Sequence, residues 1–317
     1  TATTNADANG IGAFHHAPPT GFLALCSANF EEPTIGPNSL TQADDYFNTV
    51  LWTGNGADDR SISGVGFQPD FVWLKQRNGT NYHTIVDSNR GATKRLFTNA
   101  TEVESTDADS LQAFESDGFQ VGTTGSMNGN TNTYVAWNWK ANGGTTTTND
   151  ASATSIGDTD SVIQANTDAG FSIVTYTGFS GSSGTATVAH GLSQTPEIII
   201  HKSRTRTSAW WVQAPNVLST PSHFLDFSTA TPFALSSYGT MSAPTSSVFS
   251  INGVDGVGGE SANYVAYCFH SVEGYSKIGG TYIGNGNADG AFVYTGFRPA
   301  FIITRTSSHG SSWSIVD

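Results

Sequence analysis

The sequence predicts an all-β protein made of tandem antiparallel β-sandwich domains of the jelly-roll or concanavalin-like kind. Charged residues are only 12% of the 317 residues, whereas aromatic residues reach 11% and glycine occurs 35 times. Such a chain is poor in helix formers and rich in strand and turn formers, which excludes helical bundles and coiled coils. Its large rings supply the apolar burial that disordered chains lack. The second observation behind the prediction is an internal repeat of strand-like segments.

One pattern occurs three times: a glycine turn, a proline, and an apolar run that closes in a basic residue. The copies are GFQPDFVWLKQR at 66–77, GLSQTPEIIIHKSR at 191–204 and GFRPAFIITRTS at 296–307. We expect Pro69, Pro196 and Pro299 at the start of equivalent strands, where a missing N–H breaks no ladder bond. The spacing is too long for a solenoid and indicates whole domains in series.

Two copies also share a closing strand, YVAWNWK at 134–140 and YVAYCFH at 264–270. Side chains alternate between the two faces of a strand, so one face of each closing strand is apolar and the other is mixed. We predict that the apolar face is turned into a domain core and is buried. The residues of this face are Val135, Trp137 and Trp139 in the first copy and Val265, Tyr267 and Phe269 in the second.

These segments divide the chain into five parts. Residues 1–45 are expected to be the end of an upstream domain or an arm on the first repeat, with strand character at Phe22–Leu25. Residues 46–145 form the first β-sandwich repeat, 146–168 a Thr/Ser/Gly-rich linker without a core, and 169–275 the second repeat. Residues 276–317 begin a third, incomplete repeat, so we expect the sequence to be part of a longer polypeptide. Because the second junction is short, repeats two and three should be held more rigidly than repeats one and two.

Charge and hydropathy restrict the partners. The net charge of −13 repels phosphate backbones and argues against nucleic-acid binding. No run of about 18 apolar residues exists, so no membrane insertion is predicted. The two cysteines, Cys26 and Cys268, are expected to be buried free thiols, although a pairing stays open. The best helix candidate is DADSLQAFE at 107–115, where Leu111 and Phe114 share a face.

The sequence predicts no catalytic residue, no metal site and no cofactor. Glu102 and Glu104 share a face if extended, as the paired acids of a retaining glycosidase do, but solvated loop acids are the favoured interpretation. Asn285–Gly290 resembles half of a calcium loop, yet Gly296 stands where a bidentate Glu is required, so a hairpin turn is favoured. No nucleophile, zinc-protease, P-loop or Cys-x-x-Cys motif occurs.

Aromatic residues are the remaining candidates for a site. His83, Trp210 and Trp313 occupy matching places in the three repeats, where a polar loop enters a strand, and Tyr82 and Trp211 are neighbours of the first two. An exposed ring beside Ser, Thr and Asn is a platform for stacking a sugar, although packing in a core or interface is the favoured alternative. Of Trp210 and Trp211, one should face the core and one should be exposed. The candidate glycan-stacking residues are Tyr82, Trp210, Trp211 and Trp313.

The segments YFNTVLWTGNG, GFQPDFVWLKQR, TIVDSNRGATKRLFTN, SDGFQVG and YVAWNWKANGG together resemble a β-rich repeat of large virion proteins of marine bacteriophages, cyanophages included. The preceding PPTGFLALCSANFEEPTI resembles the stretch that joins this repeat to an upstream SPRY-like or concanavalin-like sandwich. The resemblance implies a structural virion protein, a tail fibre or another surface appendage involved in host attachment. It implies a location on the virion, outside the cell. Its partners would be other virion subunits, a homo-oligomer (a trimer, by analogy) and a host surface glycan. The alternatives are a carbohydrate-binding module of a secreted adhesin, a capsid decoration protein and a glycan depolymerase.

Overall fold

A computed structural model describes residues 4–29, 33–36, 40–179, 184–218, 223–227, 233–234, 241–253, 256–306 and 312–317. Strands dominate this part of the chain, and the paired strands run antiparallel. The helical elements are short: two 3-10 turns at Ser27–Asn29 and Ala43–Asp45, and α1 (Gly125–Asn128) and α2 (Ala151–Thr154). The prediction of an all-β fold is therefore confirmed.

Repeat 1 (residues 46–145) is a sandwich of a large and a small sheet. The large sheet has six strands in the order β1-β9-β3-β4-β5-β6, and the small sheet has three in the order β2-β8-β7. Their bounds are β1 (Phe47–Thr53), β2 (Arg60–Ser63), β3 (Phe71–Gln76), β4 (Thr84–Asp87), β5 (Lys94–Phe97), β6 (Ser105–Thr106), β7 (Leu111–Glu115), β8 (Gly118–Val121) and β9 (Thr133–Trp139).

Repeat 2 (residues 146–275) has the same plan. Its large sheet has eight strands in the order β10-β11-β12-β19-β14-β15-β16-β17, and β13 pairs with β18 in the small sheet. The bounds are β10 (Thr147–Asn149), β11 (Ser161–Asn166), β12 (Phe171–Thr177), β13 (Thr185–Ala189), β14 (Ile198–Ser203), β15 (Trp211–Gln213), β16 (His223–Asp226), β17 (Phe233–Ala234), β18 (Val248–Asn252) and β19 (Asn263–Phe269).

The two large sheets correspond strand by strand. The order β1-β9-β3-β4-β5 in repeat 1 matches β12-β19-β14-β15-β16 in repeat 2. Pro69 precedes β3 and Pro196 precedes β14, so the proline motif begins the same strand in both repeats. The closing strands β9 and β19 are central, and each is paired with a neighbouring strand on both sides.

Each sandwich has its own core between its large and small sheets. In repeat 1, Trp52 and Tyr134 of the large sheet pack with Phe119 of the small sheet. In repeat 2, Tyr176 and Tyr264 stack in the same way at a centroid distance of 5.4 Å. In β9 and β19, the side chains that point into the core of their own sandwich are therefore Tyr134, Tyr264 and every second residue after them. Val135 and Val265 point to the opposite face of the sheet.

A third core joins the repeats, because the outer faces of the two large sheets pack against each other. We call this the shared core. The Phe71 ring of repeat 1 lies 5.8 Å from Phe171 and 4.7 Å from Tyr267 of repeat 2, both edge-to-face. Its buried members are Phe71, Trp73, Ile85, Leu96, Val135, Trp137, Ala141, Phe171, Ile173, Trp210, Val265 and Tyr267.

The predicted burial is confirmed for Val135, Trp137, Val265 and Tyr267, but the core that they face is the shared core and not the core of a single repeat. Trp139 and Phe269 are partly buried and pack at the margin of the shared core. Alternation of side chains assigns residues to a face and does not say what covers the face. The four sheets form consecutive layers, and repeats 1 and 2 are one packed body.

The predicted coreless linker at 146–168 is also corrected. It contains β10, α2 and the whole of β11, and β10 pairs with β11 at the edge of the eight-stranded sheet. Asp150 caps α2 by accepting a hydrogen bond from the Ala153 N–H. A Thr-rich segment needs no core of its own here, because it extends an existing sheet by backbone hydrogen bonds.

Asp70 fixes the direction in which the chain leaves repeat 1. Its buried carboxylate accepts hydrogen bonds from the backbone N–H groups of residues 141–144, at 2.6–2.8 Å, and from the Ser88 hydroxyl at 2.7 Å. Glu197, at the matching position in repeat 2, accepts from the Ser271 N–H. The junction between the repeats is therefore held by charge-assisted hydrogen bonds as well as by the shared core.

Two local predictions were wrong. Residues 107–115 form a turn and the strand β7 rather than a helix, because Leu111 pairs with Val121 and is buried in the core of repeat 1. Phe22–Leu25 is not a strand, and Leu25 is exposed. In the N-terminal part, Ile35 is buried against Tyr46 of repeat 1 and against residues of repeat 2.

Repeat 3 (residues 276–317) contributes one hairpin, β20 (Ile302–Thr304) and β21 (Ser314–Val316). Phe301, Ile303 and Ile315 pack against the shared core. The Trp137 indole N–H of repeat 1 donates to Asp317 Oδ2 at 2.9 Å. The described part of the chain contains no helix with the length and hydropathy of a membrane span.

Candidate functional site

The sequence-predicted aromatic candidates lie in different environments, and Trp210 is fully buried. It stacks on Tyr267 in the shared core, and its indole N–H donates to the Phe97 carbonyl of repeat 1 at 2.7 Å. A ring in this position has no face for a sugar, so the candidacy of Trp210 as a stacking platform is wrong. The physical reason is that Trp210, directly before β15, points into the shared core between the two large sheets.

Trp211 and Trp313 are half-buried and also have structural contacts. Trp211 packs edge-to-face on Phe224, 5.2 Å away, and lies so close to Gly256 that any side chain there would collide with the indole. Trp313 donates its indole N–H to the Asp226 carbonyl at 2.9 Å and lies beneath the Arg305 guanidinium. Tyr82 is the exposed member of the four, with 44% of its surface accessible and its ring tilted on Phe97.

Sequence reasoning missed an ionic network that crosses between the repeats. Arg90 contacts Asp87 at 2.5 Å and Glu104 at 3.1 Å, all within repeat 1. Glu104 is held by both Nε and Nη2 of Arg204 from repeat 2, at 2.8 and 3.0 Å, and the Tyr267 hydroxyl donates to Asp87 at 2.6 Å. These contacts join residues 100 and 180 positions apart in the sequence, so no local sequence pattern predicts them.

The contacts of the network account for the shifted pKa values of Arg90 and Glu104. Burial alone would lower the pKa of Arg90, but Asp87 and Glu104 hold it above its usual value. Burial raises the pKa of Glu104, yet the hydrogen bonds and charges of Arg204 and Arg90 outweigh burial and leave the pKa below its usual value. The favoured interpretation of Glu104 as a solvated acid is therefore wrong, because it is an ion-pair partner between the repeats. Its neighbour Glu102 is exposed, as expected.

The basic residue that closes the repeated motif has the same role in two copies. Lys75 donates to the Gly79 and Asn81 carbonyls of the following loop. Lys202 donates to the Ser208 carbonyl of its own loop at 2.7 Å and to the Thr101 carbonyl of repeat 1 at 3.1 Å. Burial lowers the pKa of Lys202 to about 8. Both lysines donate hydrogen bonds to loop carbonyls at the end of a strand.

The buried histidines and Cys268 are engaged inside the fold. His190 accepts from the Leu192 N–H at Nδ1, which leaves Nε2 to donate to the Thr245 carbonyl. His201 is fully buried beside the Tyr176 hydroxyl, and burial lowers its pKa to about 3. Cys268 and Cys26 are unpaired thiols, and burial raises the pKa of Cys268 to about 12. In the described ranges, no three His, Cys, Asp or Glu side chains converge as a metal site.

A polar cleft of about 300 Å³ opens at the edge of the eight-stranded sheet. The Thr177 hydroxyl donates to Asn263 Oδ1 at 3.0 Å on one side, and Asp160 accepts from the Ala151 N–H on another. Hydroxyl, amide, carboxylate and guanidinium groups suit the hydroxyls of a sugar. No sequence pattern predicts the cleft, because its residues come from five separate segments. They are Thr148, Asp160, Ser161, Val162, Thr175, Tyr176, Thr177, Arg204 and Asn263.

The architecture defines the chain as an all-β protein of stacked antiparallel sheets. More particularly, residues 42–317 match the model of the family described as "Domain of unknown function (DUF7483)", and the chain belongs to that family. The match includes both sandwiches, the shared core and the β20–β21 hairpin within one family unit. Neither the search of curated proteins nor that of solved structures gave a match.

Proposed function

We propose that this chain is a structural virion protein of a bacteriophage, a tail fibre or other surface appendage that acts in host attachment outside the cell. The observation that carries the proposal is the shared core, through which two sandwiches pack as one body. An appendage transmits force along its length, and a buried aromatic interface resists bending better than a flexible linker does. The resemblance of the repeated segments to marine phage virion proteins supports the same assignment.

The chemistry of the polar groups supports a role without catalysis. The acids with geometry suited to function are engaged: Asp70 by backbone N–H groups, Asp87 by Arg90 and Tyr267, and Glu104 by two arginines. An acid or base for catalysis needs a reachable lone pair or proton and a pKa near the working pH. The hydrogen bonds of these groups stabilise the fold instead. We therefore propose that the chain is not an enzyme.

In this proposal the partners are other virion subunits, and the chain assembles as a homo-oligomer, a trimer by analogy with phage fibres. Gold-labelled antibodies against the purified protein test the assignment on purified phage particles. Labelling of fibres or another tail appendage is the expected result. Labelling over the capsid would favour a decoration protein, and particles without label would overturn the proposal.

A second candidate, glycan binding, is favoured by the polar cleft. Its Thr177–Asn263 pair presents a hydroxyl and an amide, and Arg204 adds a cation beside them. The test is binding of the purified chain to an array of bacterial surface glycans, with Asn263→Ala against the exposed control Tyr82→Ala. Loss of binding in Asn263→Ala alone would assign recognition to the cleft, whereas loss in Tyr82→Ala alone would return it to aromatic stacking. Release of reducing ends from a bound polysaccharide would instead make the chain a depolymerase.

A further inference from the structure

The register of the strands identifies equivalent residues in the three repeats. Gly296–Asp317 aligns with Gly66–Asp87 without a gap, and β20 pairs with β21 as β3 pairs with β4. In repeat 2 the pairs β12–β19, β14–β19, β14–β15 and β15–β16 have the registers of β1–β9, β3–β9, β3–β4 and β4–β5. The equivalent residues used below are Phe47 and Phe171, Phe71 and Phe301, Asp87 and Asp317, Trp137 and Tyr267, Phe97 and Asp226, Trp210 and Trp313, and Trp73, Ile200 and Ile303.

One packing contact occurs both from repeat 1 to repeat 2 and from repeat 3 to repeat 1. The Phe71 ring of repeat 1 lies 5.8 Å from the Phe171 ring of repeat 2. The equivalent ring of repeat 3, Phe301, lies 5.4 Å from Phe47 of repeat 1, which is the equivalent of Phe171. Repeat 3 therefore packs on repeat 1 as repeat 1 packs on repeat 2.

A hydrogen bond recurs in the same two places. The Tyr267 hydroxyl of repeat 2 donates to Asp87 of repeat 1 at 2.6 Å, and the Trp137 indole N–H of repeat 1 donates to Asp317 of repeat 3 at 2.9 Å. Tyr267 and Trp137 are equivalent residues of the closing strands, and the two aspartates are equivalent as well. Two different donor groups, a hydroxyl and an indole, thus make the same contact between neighbouring repeats.

A second hydrogen bond extends the relation to the remaining pair of repeats. The Trp210 indole N–H of repeat 2 donates to the Phe97 carbonyl of repeat 1 at 2.7 Å. The Trp313 indole N–H of repeat 3 donates to the carbonyl of Asp226 in repeat 2 at 2.9 Å, and Asp226 is the equivalent of Phe97. Repeat 3 therefore contacts repeat 2 as repeat 2 contacts repeat 1.

These contacts close the three repeats into a ring. The same relation leads from repeat 1 to repeat 2, from repeat 2 to repeat 3, and from repeat 3 back to repeat 1. An interface between unlike surfaces forms a ring when its rotation closes, and a return after three steps leaves no rise along the axis. The equivalent side chains Trp73, Ile200 and Ile303 all pack in the shared core. The shared core therefore lies on a pseudo-threefold axis.

The two ends of the ring are built differently. At one end, Asp70 and Glu197, which precede β3 and β14, hold the chain where it passes from one repeat to the next. We call this the junction end. The opposite end, here called the turn end, contains the turns that follow β3 and β14, residues 77–83 and 204–210. Because the ring has no rise, these equivalent turns lie at the same level around the axis.

The turn end carries positive charge on an acidic chain. Residues 77–83 and 204–210 include three arginines and no acidic residue, whereas the net charge of the whole chain is −13. Arg204 is paired with Glu104, but Arg77 is exposed. Complementary charge steers association and selects partners, so these turns suit an acidic protein surface.

We propose that the turn end docks onto an acidic surface of a homotrimeric protein, with one copy of this chain on the threefold axis of the trimer. Equivalent turns around an axis meet equivalent subunits in the same way, and the linked contacts reinforce one another. A partner without a threefold axis would match only one turn at a time. The docking rests on the proposed virion function and names the symmetry of the partner subunit. A trimer of this chain on the axis, expected above by analogy, is the competing arrangement.

The test counts the chains in the complex that holds this protein in purified phage particles. The complex is released by mild disruption of the particles, isolated with the antibody used for immunogold labelling, and weighed by native mass spectrometry. One copy of this chain with three copies of one partner chain is the expected result. Three copies of this chain on the axis, any other number of partner chains, or release of this chain alone would overturn the docking.

A pair of charge-reversal variants locates the contact. The recombinant full chain is added to the isolated partner, and its affinity is measured by surface plasmon resonance. Arg77→Glu should weaken binding about tenfold or more, because it reverses an exposed charge of the turn end. Lys277→Glu, the same reversal at an exposed residue beyond the junction end of β19, should bind as the parent chain does. An unchanged affinity in Arg77→Glu, or an equal loss in both variants, would overturn docking through the turn end.

The docking and the virion assignment fail in distinguishable ways. Particles without immunogold label would overturn both proposals together. Labelled particles in which the complex has another stoichiometry would overturn the docking alone and leave the virion assignment in place.

Discussion

Replacement of Trp137 by alanine tests the packing between the repeats. Trp137 projects from β9 into the shared core, where its ring lies 6.0 Å from Trp73 and 5.8 Å from Phe301. The side chain is 5% exposed, and its N–H donates to Asp317. The substitution therefore removes apolar contacts on several sides and leaves a cavity that neighbouring sheets cannot fill.

The expected loss of unfolding free energy is about 3–5 kcal/mol, which combines the lost transfer free energy of the ring with the cost of the cavity. The lost hydrogen bond adds little, because Asp317 is exposed and its carboxylate regains water. A loss of this size is a large part of the 5–15 kcal/mol that stabilises a typical domain.

Urea unfolding followed by far-ultraviolet circular dichroism gives the free energy without relying on tryptophan fluorescence. Leu51→Ala is the control, because Leu51 is on the adjacent strand β1 with 60% exposure, and its replacement should cost less than about 0.5 kcal/mol. If Trp137→Ala costs under about 1 kcal/mol, the outer face of β9 is not buried between sheets and the reasoning is refuted.

Three further predictions concern the polar contacts. Tyr267→Phe removes the hydroxyl that donates to buried Asp87 and should cost about 1.5–3 kcal/mol in urea unfolding; an unchanged midpoint would contradict the contact. Asp70→Ala leaves four backbone N–H groups without their acceptor and should cost about 3 kcal/mol, measured the same way, whereas a neutral effect would mean that the junction is held by other groups. The folded-state pKa of Glu104 is below its unfolded value, so its contribution is full above about pH 4.5 and is lost as the pH falls through the folded pKa. Glu104→Gln should flatten the acid limb of thermal stability against pH, and a limb identical to that of the parent chain would refute this role.

The sequence predicted the strands of the repeated segments but not which sheets pack against them. The proline motif and the closing strands predicted β3, β14, β9 and β19, because alternation and turn residues act over short distances. Alternation also required that one of Trp210 and Trp211 face a core, and it is Trp210. Which sheet covers an apolar face depends on residues far apart in the sequence, and the pattern of a single strand does not contain that information. The shared core forms because the outer faces of both large sheets are apolar.

The candidate site was harder to predict for the same reason. The polar neighbours of Glu104 in sequence favour a solvated loop acid, whereas its partners Arg90 and Arg204 lie 14 and 100 residues away and meet it only in the folded chain. The polar cleft draws residues from β10, β11, β12 and β19, whose adjacency follows from the sheet order alone.

A double-mutant cycle between the repeats tests the central claim most directly, namely that repeats 1 and 2 pack through their large sheets as one body. Phe71 and Phe171 meet edge-to-face at 5.8 Å across the shared core. Unfolding free energies of the parent chain, Phe71→Leu, Phe171→Leu and the double variant give their coupling. The packed arrangement predicts a coupling of about 0.5–1.5 kcal/mol, as for other aromatic pairs. Strictly additive losses, within about 0.3 kcal/mol, would mean that the two rings do not touch and that the repeats are not packed as one body.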